Sequence, residues 1–139
     1  MNRADLLAHA QAVFVELAAE TGITLAEDSE GQDGTPIPGI SRQLDAAARD
    51  LGDDTSNTAA GEALIEYHVL RRMRYAVAAR VDFDATAVQS KRSQIYNQID
   101  SLIAAAVDAC ASAGHPIAQT GGSKIVDFNL DYLEPEPAI

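Results

Sequence analysis

Tryptophan is absent from this chain, cysteine occurs once, and only three Phe and four Tyr supply aromatic bulk. One thiol, Cys110, cannot close an intrachain disulfide, and a zinc site built on paired cysteines is excluded with it. Long apolar runs are missing too. Asp5, His9 and Glu16 interrupt the N-terminal segment where a secretory leader needs a continuous apolar stretch. No run of about eighteen apolar residues occurs, so no membrane span is expected, and the chain reads as a soluble protein of a reducing cytoplasm. Positive charge is scarce as well. Ten Lys and Arg face twenty-one Asp and Glu, for a net charge of −11 and a pI near 4.4. That balance argues against a dedicated DNA-binding domain and against attraction to an anionic membrane.

What replaces bulk is alanine, with twenty-six copies in 139 residues. Alanine favours helix and lets helices approach closely, but buries little surface per residue. A chain of this length forms one domain with a modest core, and an alanine-rich core suits a subunit that gains stability from neighbours in an assembly. The fold class is mainly α: a small bundle of about four helices with a long antiparallel hairpin. Residues 1–114 form the helical domain and 115–139 an extended C-terminal arm containing one strand.

The first helix is capped by Asn2 with Asp5 at its third position. Leu6, Ala10, Val13, Phe14 and Leu17 recur on one face, Gly22 stops it, and Ile23 folds back on the last turn. The acidic, Gly- and Pro-rich residues 26–40, AEDSEGQDGTPIPGI, read as a long loop. Ser41 is expected to cap a short helix ending at Leu51, with Leu44, Ala48 and Leu51 inward and Gly52 as the stop. A third helix runs from about Thr58 to Val81, apolar at Leu64, Ile65, Tyr67, Leu70, Met73, Val77 and Val81. The fourth opens at Ser90 as its cap, carries a stripe of Ile95, Ile99, Leu102, Ile103, Ala106 and Cys110, and ends at Gly114 and Pro116.

The tail changes period. In VDFNLDY, Val126, Phe128, Leu130 and Tyr132 alternate with polar residues, the pattern of a half-buried strand. A lone strand leaves its backbone groups unpaired, and within the chain only the weakly alternating Asp82–Val88 connection offers a mate. Either the tail folds over its own helices or it adds to the sheet of another chain; the arm reading is the one adopted.

Signals of catalysis are poor. GGSK at 121–124 lacks the spacing of a phosphate-binding loop, and EDSEGQD and DLGDD lack the calcium-loop pattern. His9, His68 and His115 sit in separate segments without metal-ligand spacing, and His68 reads as a satisfied structural histidine. No catalytic, metal or cofactor-binding residue is expected, and no cofactor. Charge segregation is the stronger signal. Between Tyr67 and Tyr96 lie six basic residues, Arg71, Arg72, Arg74, Arg80, Lys91 and Arg92, against Asp82 and Asp84 alone; the rest of the chain holds four basic and nineteen acidic residues. These six are candidate subunit-interface residues, because a guanidinium holds carboxylates bidentately and a head-to-tail contact between copies can close into a ring. Pairing within one chain is the alternative.

The segment ARVDFDATAVQSKRSQIYNQI, with a long helix ending in Arg-Val-Asp and a second opening at Ser90, Arg92, Ser93, Gln94, Ile95 and Tyr96, resembles the head-to-tail adaptor (connector) proteins of the neck of tailed bacteriophages. The likeness covers about residues 62–113. It implies a non-enzymatic virion protein, made in the bacterial host cytoplasm. Its copies, commonly about twelve, form a ring beneath the portal, extend the DNA channel, and offer a surface to the next neck or tail component. It implies that the C-terminal arm, through Ile125, Val126, Phe128, Leu130, Tyr132 and Leu133, engages the portal. Double-stranded DNA would pass through without sequence-specific binding, and net negative charge suits a conduit that must not hold phosphates. Another neck or tail-completion protein is the nearest alternative, and a helical nucleic-acid-binding regulator the more distant one.

Overall fold

The computed structural model describes residues 1–79 and 87–117, the side chains of 87–90 excepted. The expected strand at Val126–Tyr132, Arg80 and Val81 lie outside the described residues. The chain order is α1 (Arg3–Val13), α2 (Val15–Thr21), β1 (Ser29–Glu30), β2 (Pro36–Ile37), α3 (Ser41–Leu51), α4 (Thr58–Ala78) and α5 (Ala87–Ser112). The fold is mainly α, as its composition and periodicity predict.

α1 begins as its sequence dictates. Asn2 accepts from the Asp5 amide at 2.9 Å, and the Asp5 carboxylate accepts from the Asn2 amide at 3.0 Å, so two amides that the helix cannot satisfy are satisfied reciprocally. The expected single helix to residue 21 is bent instead at Phe14 (φ −110°, ψ 19°). The bonds from Phe14 to Ala10 and from Ala18 to Phe14 persist at 3.0 and 2.8 Å, so the axis turns without the ladder ending. Phe14 is drawn into the core, while Val13 and Val15, β-branched neighbours that favour helix weakly, are turned outward at 48% and 64% exposure. Val13 therefore does not share the buried face assigned to it. α2 closes as expected: Gly22 adopts φ 77°, and the Ile23 amide donates to the Ala18 carbonyl at 3.0 Å.

Residues 26–40 are more ordered than a loop reading allows. β1 and β2 pair antiparallel, with Ser29 opposite Ile37 and Glu30 opposite Pro36. The turn between them is held by the Gly31 amide on the Thr35 carbonyl, 2.8 Å, and by the Thr35 amide on the Asp33 carboxylate, 3.0 Å. The body of the molecule thus carries a short exposed ribbon where a wholly helical body was expected. Its exit is tight. A Cβ on Gly39 would come within 2.0 Å of the Ala26 carbonyl oxygen, so this position admits glycine alone.

Ser41 does not cap α3. Ile40 occupies the cap position, buried and without a side-chain acceptor. The acceptor arrives from across the loop: the Asp28 carboxylate accepts from the Gly39 amide at 2.7 Å and the Ser41 amide at 3.4 Å. The Ser41 hydroxyl accepts from the Asp28 amide, 2.8 Å, and donates to Glu27, 2.7 Å. α3 buries Leu44, Ala47 and Leu51; Ala48, expected inward, is exposed because the buried face lies one residue earlier.

α4 is the centre of the fold. Asn57 caps it, accepting from the Ala60 amide at 3.1 Å. It buries ten residues, among them Leu64, Ile65, Val69, Leu70, Met73 and Val77. It packs against α1, α2, α3 and α5, whereas α5 packs mainly against α4. α4 and α5 run antiparallel, since Asn57 donates to the Ala113 carbonyl at one end (2.9 Å) and Arg74 reaches Asp100 toward the other (2.6 Å). α5 starts at Ala87, so Ser90 falls within its first turn and is not its cap. Ile95, Ile99, Ala106 and Cys110 are buried and Ile103 packs against them, but Leu102 is 37% exposed. Gly114 (φ 91°) ends the helix and the His115 amide caps the Cys110 carbonyl at 2.9 Å. Residues 115–117, expected to begin the arm, still lie against the body, with Ile117 packed on the core.

Candidate functional site

Of the six basic residues singled out by charge, the five that are described do not form one surface. On a helix, positions 71, 72 and 74 leave in three directions. Arg72 reaches back to the exit of the ribbon, donating to the Gly39 carbonyl at 2.7 Å and to Gln43 at 3.3 Å. Arg74 pairs with Asp100 of α5 and lies over the Tyr96 ring, 5.2 Å from its centroid. Lys91 stands 3.9 Å from Glu20 of α2, and Arg92 is half-buried on α5. Arg71 is exposed. It rests on Tyr67, 5.7 Å from the ring centroid and 3.4 Å from the hydroxyl, and meets no carboxylate among the described residues. Intrachain partners thus account for Arg72, Arg74 and Lys91.

A second basic residue, not singled out by the sequence reading, stands beside Arg71. Arg42 of α3 is exposed and has no acidic partner among the described residues. Arg42, Arg71, Arg72, His68 and Tyr75 line one shallow depression between α3 and α4. Tyr75 projects from it at 79% exposure. Its place off the apolar arc of α4 was the available signal for it.

On the other flank of α4 lies a groove of about 460 Å³ between α1–α2 and α5. Its floor is apolar: Val13, Phe14, Leu17, Leu70, Leu102 and Ala106. Its rim carries Glu16, Glu20 and Glu66 with Gln98. The Glu66 carboxylate lies 2.7 Å from His9 Nε2, and Glu16 has no cationic partner among the described residues. The sequence reading placed Val13 and Leu102 in the core. They instead line this groove, because the apolar arcs of α1 and α5 are wider than the faces their neighbours cover.

All three histidines are hydrogen-bonded, including His68, which was expected to be satisfied. Each joins two elements through a carboxylate: His9 of α1 to Glu66 of α4, His68 of α4 to Asp50 of α3 at 2.9 Å, and His115 after α5 to Asp54 before α4 at 2.8 Å. The bonds from His115 and Asn57 hold the Asp54 carboxyl below the usual aspartate range. Arg3 ties three segments. It grips Glu27 with Nε and Nη2 at 2.5 and 2.8 Å, contacts Asp45 of α3, and donates to the Ser41 carbonyl at 3.2 Å. That fork lowers the Glu27 carboxyl to about 2. Burial raises the Cys110 thiol to about 11, which leaves it a small apolar side chain rather than a nucleophile.

Among the described residues, no group of three or more His, Cys, Asp or Glu is placed to hold a metal ion, and no helix is long and apolar enough to cross a membrane. On opposite flanks of α4 lie an acidic, apolar-floored groove and a shallow basic depression, at whose edge the projecting Tyr75 forms a ridge. Compared with known families, characterised proteins and solved structures, the chain gives no match to any of the three.

Proposed function

We propose that this chain is a structural subunit of a tailed-phage neck: an adaptor that assembles into a ring between portal and tail and lengthens the channel for DNA. The observation that carries the reading is the coincidence of two things. The segment resembling the adaptor family, about residues 62–113, falls on the α4–α5 hairpin. α4 of that hairpin has unlike surfaces on its two flanks: an acidic, apolar groove shared with α1–α2 and α5, and a basic, aromatic surface shared with α3. A subunit with complementary flanks associates head to tail, and such contacts close into rings when the rotation per step allows. The net charge of −11 fits a conduit that repels phosphates.

In this reading the arm bearing Ile125, Val126, Phe128, Leu130, Tyr132 and Leu133 binds the portal, and the next neck component docks on the ring. The test is a native-mass measurement of the purified chain, alone and mixed with portal rings. Oligomers that bind the portal as a unit support the adaptor role. A chain that stays monomeric and ignores the portal, yet retards duplex DNA with steep loss in salt, would instead be a nucleic-acid-binding regulator.

A further inference from the structure

Within the ring-forming reading, on which this inference rests, we propose that the groove between α1–α2 and α5 receives the Arg42–Arg71–Tyr75 ridge of a neighbouring copy. The occupant is thus a second molecule of this chain, bound through the opposite flank of the same helix.

Three observations point to that occupant. The first is direction. Glu66 and Leu70 of α4 line the groove, and Tyr75 projects from the other flank. Nine residues separate Glu66 from Tyr75, two and a half helical turns at about 3.6 residues each, so the two side chains leave α4 on opposite sides. An interface on one side and its complement on the other is what a head-to-tail contact requires. The second is charge. Glu16, Glu20 and Glu66 edge the groove; Arg42, Arg71 and Arg72 line the depression beside Tyr75, and no carboxylate lines it. Glu16 on one rim, with Arg42 and Arg71 on the other, have no oppositely charged partner among the described residues. The third is apolar fit. Val13 and Leu102 stand open in the groove while Tyr75 stands open on the ridge, and an aromatic anchor seated on an apolar floor within a charged rim is the common anatomy of an interface centre.

The contact therefore places Tyr75 of one copy over Val13 and Leu102 of the next, with Arg71 and Arg42 facing Glu16 and Glu20.

Charge exchange tests it. Arg71→Glu and Glu16→Arg are exposed changes that leave the core intact, which circular dichroism would verify. Sedimentation of the full chain is the readout. Each variant alone is expected to associate about tenfold or more weakly than the wild type. An equimolar mixture restores association, because ridge and groove then match in an alternating arrangement. Tyr75→Ser weakens association and is not rescued by either partner. Wild-type protein that remains monomeric at high concentration overturns the ring reading and this contact together. Wild-type protein that assembles while both charge variants assemble equally well overturns this contact alone, as does loss that mixing fails to restore. Retention of assembly by Arg71→Glu with loss of salt-sensitive binding to duplex DNA assigns the ridge to phosphates and likewise overturns the proposal.

Discussion

Arg3 shows how much a single side chain can hold. Its fork reaches Glu27 before the ribbon, Asp45 within α3 and the Ser41 carbonyl, so one guanidinium joins the first turn of α1 to both ends of a sequence gap. The consequence is a stability that depends on acid. In the folded chain the Glu27 carboxyl titrates near 2, against an ordinary 4.5. Between those values the unfolded chain binds the proton more readily, so folding is favoured as pH rises through the window. The contribution is complete above 4.5 and is lost as pH falls from there toward 2. Urea melts across that range should therefore fall more steeply for the wild type than for Arg3→Met, which removes the largest cause of the shift. Parallel slopes would mean that the fork does not hold in solution. Both side chains are partly solvated, so the difference should also shrink with added salt.

Most helix ends with a local signal were legible, the exception being Ser90, which lies inside α5 rather than capping it. The Asn2–Asp5 box and the stops at Gly22, Gly52 and Gly114 are written in neighbouring residues, and the chain obeys them. The start of α3 was not legible, because its acceptor, Asp28, arrives from thirteen positions upstream of Ser41. The bend at Phe14 escaped for a related reason. A 3.6-residue period shows which residues are apolar but not which of two adjacent apolar residues the packing will take. Phe14 was taken, and Val13 was left outside. The same excess of apolar arc over available partner produced the groove, so the candidate site was visible in outline and misassigned to the core. Packing of α5 allows a sharper expectation. Ile99 is fully buried against α4, and Ile99→Ala should cost about 2–5 kcal/mol in a denaturant melt. Leu102→Ala, on the groove, should cost far less in the isolated chain.

At the scale of the molecule, the adaptor reading makes residues 124–139 an arm. Deleting them should then leave the melting transition in place while abolishing capture by portal rings. A truncated chain that no longer folds cooperatively would return the Val126–Tyr132 segment to the body of the protein and remove the main reason for expecting an outside partner.

One arrangement reaches further than its place in the fold suggests. α5 is fastened mainly along α4, and across the groove it meets α2 through the Lys91–Glu20 pair. A cantilever of this kind can peel while the rest of the bundle keeps its shape. Amide protons along α5 should trade with solvent deuterium well before those of α4. Seating a neighbour's Tyr75 between α2 and α5 would brace the groove flank and slow that exchange, so a helix held mainly along one seam in the lone molecule would become a clamped one in the assembly.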